Sequence, residues 1–138
     1  IDIIIPIYNA FDFVKKCIET VIEHTDLTQH TLLLVNDKST DERILPLLNS
    51  FIKENQSLNI ILIDNKDNQG FVRTVNIGMQ YSHHDVVLLN SDTEVTRNWL
   101  SKIQNCAYSK PAVATVTPLS NNATLASVPV SFLQRLLQ

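Results

Sequence analysis

Glycine is nearly absent: Gly70 and Gly78 are the only two in 138 residues. A phosphate-binding P-loop needs two glycines followed by Lys-Ser/Thr, and a dinucleotide fingerprint needs three close together. Neither cradle can be built here, so a bound nucleotide would have to be held by other means. Basic clusters are missing as well. Eleven Lys and Arg stand against 14 Asp and Glu, and the net charge of −3 is no nucleic-acid footprint. No apolar run approaches the roughly 20 residues that span a bilayer, and no signal peptide is visible. Cys17 and Cys106 lie far apart without metal-ligand spacing, each inside a helical pattern. They read as core thiols in a reducing compartment.

What is present looks like one domain's worth of chain, with hydrophobic and charged shares of 44% and 18%, ordinary for a soluble globular protein. It opens on Ile1, already inside an apolar run, and so reads as a piece of something longer. Apolar runs bounded by turn residues recur at 1–5 (IDIII), 31–35 (TLLLV), 59–63 (NIILI), 86–89 (VVLL) and 113–116 (VATV). These read as strands, and the third and fourth are apolar enough to be buried on both faces of a parallel sheet. Between them the period becomes helical. Phe11, Val14, Ile18, Val21 and Ile22 fall on one helix face, as do Ile44, Leu47, Leu48, Phe51 and Ile52, with Pro46 confined to the first turn or a kink. Residues 70–81 and 97–108 suit two more helices. Such alternation predicts an α/β fold: right-handed βαβ units in a three-layer α/β/α sandwich with a mostly parallel sheet. Residues 118–129 are polar and turn-rich, and VSFLQRLLQ after them resembles a short amphipathic helix.

Ligands of open parallel sheets bind beyond the carboxyl ends of the strands. Pro6-Ile7-Tyr8-Asn9 follows the first strand, Asn36-Asp37-Lys38-Ser39-Thr40-Asp41 the second, Asp64 to Gly70 the third, and Asn90-Ser91-Asp92-Thr93-Glu94 the fourth. Polar and acidic groups thus gather at one edge four times. Acids beside an anionic nucleotide diphosphate make sense only with a divalent cation between them. Mg²⁺ or Mn²⁺ commonly takes one or two carboxylates plus phosphate oxygens and water, and Asp92 is the strongest candidate ligand. Tyr8 offers a flat face for a base, and Asp37 could accept the imide hydrogen of uracil or thymine. Plainer readings stand beside these. Asn-Ser-Asp-Thr is also turn and capping chemistry, Ser39-Thr40-Asp41 also suits a helix N-cap, and Tyr8 could belong to the core or rim. His83-His84-Asp85 reads as a solvated loop, since adjacent histidines point apart.

Taken together, IIIPIYNAFDFVKKCIETVI, LLLVNDKSTDE, NQGFVRTVNIGM and VVLLNSDTEVTRNWL resemble the family 2 glycosyltransferases, inverting enzymes of the GT-A fold, in order and spacing from residue 2 to about residue 100. The stretch VATVTPLSNNATLASVP is similar to a continuation seen in bacterial polysaccharide and rhamnosyl-type members. The resemblance implies a nucleotide-diphosphate-sugar-binding domain over 1–138, cut before the acceptor-binding half and inactive alone. Pro6, Tyr8 and Asn9 would line the nucleoside pocket and Asp37 would contact the base. Asn68, Gly70 and Asn76 match a further motif, with Arg73 approaching the pyrophosphate. Asn90-Ser91-Asp92 aligns with the D-x-D signature, which makes Asp92 the metal ligand for Mn²⁺ or Mg²⁺ and Asn90 a ribose contact.

Two departures accompany the match. Asn36 and Asn90 stand where the family has acids, so one fixed carboxylate would hold the cation and the site would fill only with nucleotide present. No residue here is assigned as the catalytic base, which in this family lies downstream. The implied reaction transfers a hexosyl or deoxyhexosyl unit from a UDP- or dTDP-sugar to a polysaccharide or lipid-linked glycan, with inversion. The implied setting is the bacterial cytoplasm and the inner face of the cell membrane, with membrane association carried by segments outside this sequence. Two alternatives differ in class: a non-catalytic nucleotide-sugar-binding domain of the same fold, and a sugar nucleotidyltransferase. The second wants a glycine-rich basic loop after the first strand, which PIYNAFDF lacks.

Overall fold

The computed structural model describes residues 1–118. The chain falls into two compact units, Ile1–Arg97 and a second beginning at Asn98. The first alternates strictly: β1 Asp2–Ile7, α1 Phe11–His24, β2 Thr31–Asn36, α2 Ile44–Glu54, β3 Ile60–Asp64, α3 Phe71–Tyr81 and β4 Val86–Leu88. The second contributes α4, Trp99–Ala107.

The four strands form one all-parallel sheet in the order β3-β2-β1-β4. Chain direction across that order fixes the layers. The steps β1 to β2 and β2 to β3 run one way, and the step β3 to β4 runs back past both. Right-handed crossovers therefore put α1 and α2 on one face and α3 on the other. The reversal leaves a switch point between β1 and β4, where open α/β sheets bind ligands. The expected α/β class with its parallel sheet is what the chain adopts.

Burial follows strand position. β1 buries all six residues and β2 five of six, as central strands covered on both faces must. Ile4, Leu33 and Val35 form a buried cluster on the α3 side, with Ile61, Ile63 and Ile77 packed against it. Gly78 is what lets α3 approach so closely. A Cβ there would lie 2.6 Å from Ile4 Cγ2 and 3.3 Å from Val35 Cγ2. Gly78→Ala is therefore expected to destabilise by about 1–2 kcal/mol, since overpacking outweighs the helix-propensity gain of about 1 kcal/mol. Urea denaturation checks the sign, and a more stable variant would mean that the contact relaxes freely.

Two expectations need correction. The apolar runs of β3 and β4 are not buried on both faces. Both strands lie at sheet edges among the described residues, with β3 only partly covered and Val86 and Leu88 of β4 38% and 42% exposed. Residues 113–116, expected as a fifth strand, form none. The expected C-terminal helix lies outside the described residues, as does all but the start of the polar stretch from 118. Pro46 sits in the first turn of α2, where its missing N–H costs nothing.

Candidate functional site

Two amides tie the loops at the carboxyl ends of β1, β2 and β3 together. Asn9 and Ala10 both take left-handed backbone, with φ of 57° and 58°, which turns the chain sharply from β1 into α1. Asn tolerates that region better than most residues. The Asn9 side-chain oxygen accepts from Thr40 N at 2.8 Å and Asp41 N at 2.9 Å, and its backbone N–H donates to Ser39 Oγ. Asn9 is thus a latch between two loops. Asn36 is a second. It is 3% exposed, donates to Asp64 Oδ1 at 2.7 Å and accepts from Ser39 Oγ and Ser39 N. The β2–β3 register sets Asn36 beside Asp64, so an amide here makes a bond where an acid would face another acid.

Asp37 organises the third loop. It is 3% exposed, and its Oδ1 accepts from Gln69 N at 2.7 Å and Asn65 Nδ2 at 3.0 Å. Oδ2 accepts from Gly70 N at 2.8 Å, at the start of α3. Burial opposes the charge, yet the bonds from Gln69, Asn65, Thr74 and Gly70 outweigh it and hold the carboxyl below its ordinary range. Asp2, at the opposite end of β1, is likewise lowered. Burial raises it, and bonds from Ser82, Thr31 and His84 more than offset that. A carboxyl depressed in the fold contributes stability that is complete above its unfolded pKa of about 3.9, and loses it as pH falls through the lower folded value. The contribution of these two carboxyls to the denaturant midpoint is therefore expected to be constant down to about pH 5 and to fall steeply below about pH 4. A midpoint that holds through that window would contradict these two assignments.

Ser39-Thr40-Asp41 does not supply the expected N-cap, because Arg43 precedes α2 with no side-chain cap hydrogen bond, and Ser39 and Thr40 bond to Asn36 and Asn9 instead. Asp41 Oδ1 accepts Arg43 N and the Arg43 guanidinium, which brings the Asp41 carboxyl down to about 2. The same guanidinium sits 4.4 Å above the centroid of the Phe11 ring, so Arg43 is fully engaged.

Between these loops and the first turn of α3 lies a cavity of about 260 Å³. Pro6, Ile7 and Tyr8 of the β1 end, Asp37, Asn68, Gly70, Phe71 and Thr74 line it. Tyr8 and Phe71 are both exposed, and Phe71 keeps 57% of its surface open. An aromatic pair beside buried hydrogen-bonding groups suits a flat, partly polar ring.

The fourth loop turns at Asn90, whose carbonyl accepts Thr93 N at 3.1 Å. Asn90 and Asp92 are exposed and Ser91 is half-buried, so the Asp92 carboxylate stands free at the turn. Cys17 of α1 lies fully buried with its Sγ 3.6 Å from Asn90 O. Burial pushes this thiol up to about 11, the backbone of Thr93 pulls it down, and the charge of Asp92 raises it further. Cys17 is thus the expected inert thiol. Cys106 departs from the expectation, because it is exposed on α4.

Of the predicted site residues, Pro6, Tyr8, Asp37, Asn68 and Gly70 meet around the cavity. Asn9 stands behind it as a latch. Arg73 and Asn76 are exposed on α3 and do not line it, and neither do Asn90, Ser91 and Asp92. Phe71, Thr74 and Asn65 went unread in the sequence. Phe71 had a signal, an aromatic directly after the Gly70 that opens a helix, whereas Asn65 had none. His84 approaches Asp2 at 3.3 Å from the exposed loop before β4. Among the described residues no group of three or more His, Cys, Asp or Glu could hold a metal ion, and no helix is long and apolar enough to cross a membrane.

Residues 2–132 match the sequence model of glycosyl transferase family 2. The chain belongs to that family. Polypeptide N-acetylgalactosaminyltransferase 11 of Xenopus tropicalis is 31% identical over 104 residues, 73% of this chain and 17% of the relative. A poly(ribitol-phosphate) beta-glucosyltransferase of Bacillus spizizenii is 32% identical over 71 residues, 51% of this chain and 11% of the relative. Among solved structures, a mannosyltransferase from Pyrobaculum calidifontis in complex with GDP-Man and Mn²⁺ superposes with a TM-score of 0.79 at 17% identity. That match covers 86% of this chain and 35% of the mannosyltransferase, and it shows the shared fold. The chain thus spans about a third or less of each of these proteins.

Proposed function

We propose that this glycosyl transferase family 2 chain is the donor-binding part of an inverting glycosyltransferase, holding a UDP- or dTDP-linked sugar. The cavity beside Asp37 carries this reading. The base would lie against Tyr8 and Phe71, with its edge toward Asp37 and Asn68. About four lone-pair sites belong to a carboxylate, and Gln69, Asn65 and Gly70 use three. The Thr74 hydroxyl bonds at the fourth, and on binding it would turn its hydrogen away to leave that place to one donor of the base. Uracil and thymine present a single imide N–H there, whereas guanine presents two neighbouring donors.

The diphosphate would extend from the cavity toward the turn at Asn90-Ser91-Asp92. Asp92 alone suits a hard cation, Mn²⁺ or Mg²⁺, that draws its other ligands from diphosphate oxygens and water. Bound there, the cation would offset charge on the leaving diphosphate. Asn90 would meet a ribose hydroxyl, and the exposed Arg73 guanidinium and Asn76 would serve the phosphate side. The acceptor, a polysaccharide or lipid-linked glycan, and the base that deprotonates it belong to the rest of the parent enzyme. Its setting would be the bacterial cytoplasm or the inner membrane face.

Calorimetric titration of UDP, dTDP, GDP and CDP, each with Mn²⁺, tests the reading. UDP or dTDP is expected to bind tightest, with GDP weaker by about tenfold, the cost of one unpaired donor. A folded chain that prefers GDP would contradict the base assignment.

A further inference from the structure

The turn bearing Asp92 is held at both ends by one helix. At its start, Cys17 Sγ meets the Asn90 carbonyl at 3.6 Å, and at its end Thr20 Oγ1 accepts Val95 N at 3.2 Å. The Thr20 hydroxyl donates in turn to Cys17 O at 3.0 Å, so the two anchors are bonded to each other. Cys17 is fully buried, Thr20 is 7% exposed and Val95 is buried, so the anchors lie out of water, where hydrogen bonds hold geometry best. Asn90, Asp92 and Glu94 are exposed, and the turn closes through the bond from Thr93 N to Asn90 O, with the Thr93 backbone also bonded to the Cys17 thiol.

We infer that Thr20, with Cys17, is a positioning residue for Asp92: α1 sets where the carboxylate stands relative to the cavity. This rests on the reading of Asp92 as metal ligand given above. The physical requirement is reciprocal bonding. The hydroxyl at position 20 must accept from Val95 and donate to Cys17 at once, which Ser can do and Ala or Val cannot. A methyl there would leave the Val95 N–H buried and unpaired, and the turn would pull away to find water. An aligned carboxylate matters most when it is the one fixed charge on the cation, because nothing else corrects a misplacement.

Two readouts separate positioning from plain stability. In amide hydrogen exchange of the ligand-free chain, Thr20→Ala and Thr20→Val are expected to speed exchange at Thr93 and Val95 by roughly tenfold, the loss of one buried bond, and to leave β1 and β2 unchanged. In titrations with UDP, both variants are expected to lose roughly tenfold of the affinity gained on adding Mn²⁺, with the metal-free affinity intact and Thr20→Ser behaving as wild type. An unchanged exchange pattern, an undiminished Mn²⁺ gain, or a parallel fall of both affinities would overturn the inference. A wild type that gains nothing from Mn²⁺ would overturn the metal reading of Asp92 and this inference with it. That case is recognised because Asp92→Ala would then change nothing either.

Discussion

Asp92→Ala is expected to abolish the Mn²⁺-dependent share of nucleotide binding, a loss of about a hundredfold in affinity for UDP measured with the cation. The size follows from the shortage of ligands. Asn90 at the same turn is a neutral amide, and among the described residues no cluster of three ligating side chains could add to Asp92. A single carboxylate that is removed leaves the cation with phosphate oxygens and water only. The metal-free affinity should change little, because the cavity lining does not include Asp92. Stability should hold as well, since the residue is exposed and its turn is closed by backbone. Asp92→Asn is expected to match the alanine, because charge rather than shape is what it supplies. Calorimetry of each variant with and without Mn²⁺ reads the difference. A tenfold or smaller loss would mean that Glu94 or another oxygen shares the cation.

Asp37→Ala is expected to cost about 4 kcal/mol of folding stability and to eliminate nucleotide binding. Gln69 N, Asn65 Nδ2 and Gly70 N converge on this carboxylate at 2.7–3.0 Å, the first and last at the entrance to α3, and the Thr74 hydroxyl joins them. Hydrogen bonds to a charged group contribute about 1.5–3 kcal/mol each, and the sum is less than additive because the loop relaxes. Against a typical total of about 5–15 kcal/mol the loss is severe. Asp37→Asn should be only slightly milder, since its amide must turn at least one N–H toward donors that need an acceptor. Chemical denaturation monitored by circular dichroism gives the stability, and UDP titration of whatever remains folded gives the binding. If Asp37→Asn were as stable as wild type, the carboxylate would not be clamping the loop.

Much of the architecture was legible because β1 and β2 are central. Their unbroken apolar runs are what double burial requires, and they turn polar at the ends where the loops begin. The same signal misled at β3 and β4, whose apolar residues lie on edge strands with partial cover. Periodicity reports that a residue avoids water and does not report which neighbour covers it. The run at 113–116 differs for a related reason, since β propensity makes a strand only where another strand bonds it, and among the described residues none does.

The site was legible to a similar depth. Acids and amides after each strand pointed to one edge, and the cavity gathers Pro6, Tyr8, Asp37, Asn68 and Gly70 there. The tasks of the amides were not legible. Asn9, Asn36 and Asn65 find their partners about 30 residues away, through the register of the sheet and the turn of each loop. A side chain that could bond a ribose looks the same in sequence as one that bonds a neighbouring loop. Thr20 was hidden for the same reason, as a helical threonine whose partner lies 75 residues on.

The most direct test of the donor site is paramagnetic broadening by Mn²⁺ in NMR spectra of the labelled chain, with and without UDP. The expected result is broadening centred on Asn90 to Thr93 that appears only with UDP, together with shifts at Tyr8, Asn68 and Phe71. Broadening that ignores UDP, or that centres on His84 and Asp2 at the far end of the sheet, would contradict a nucleotide in this cavity with its diphosphate at Asp92.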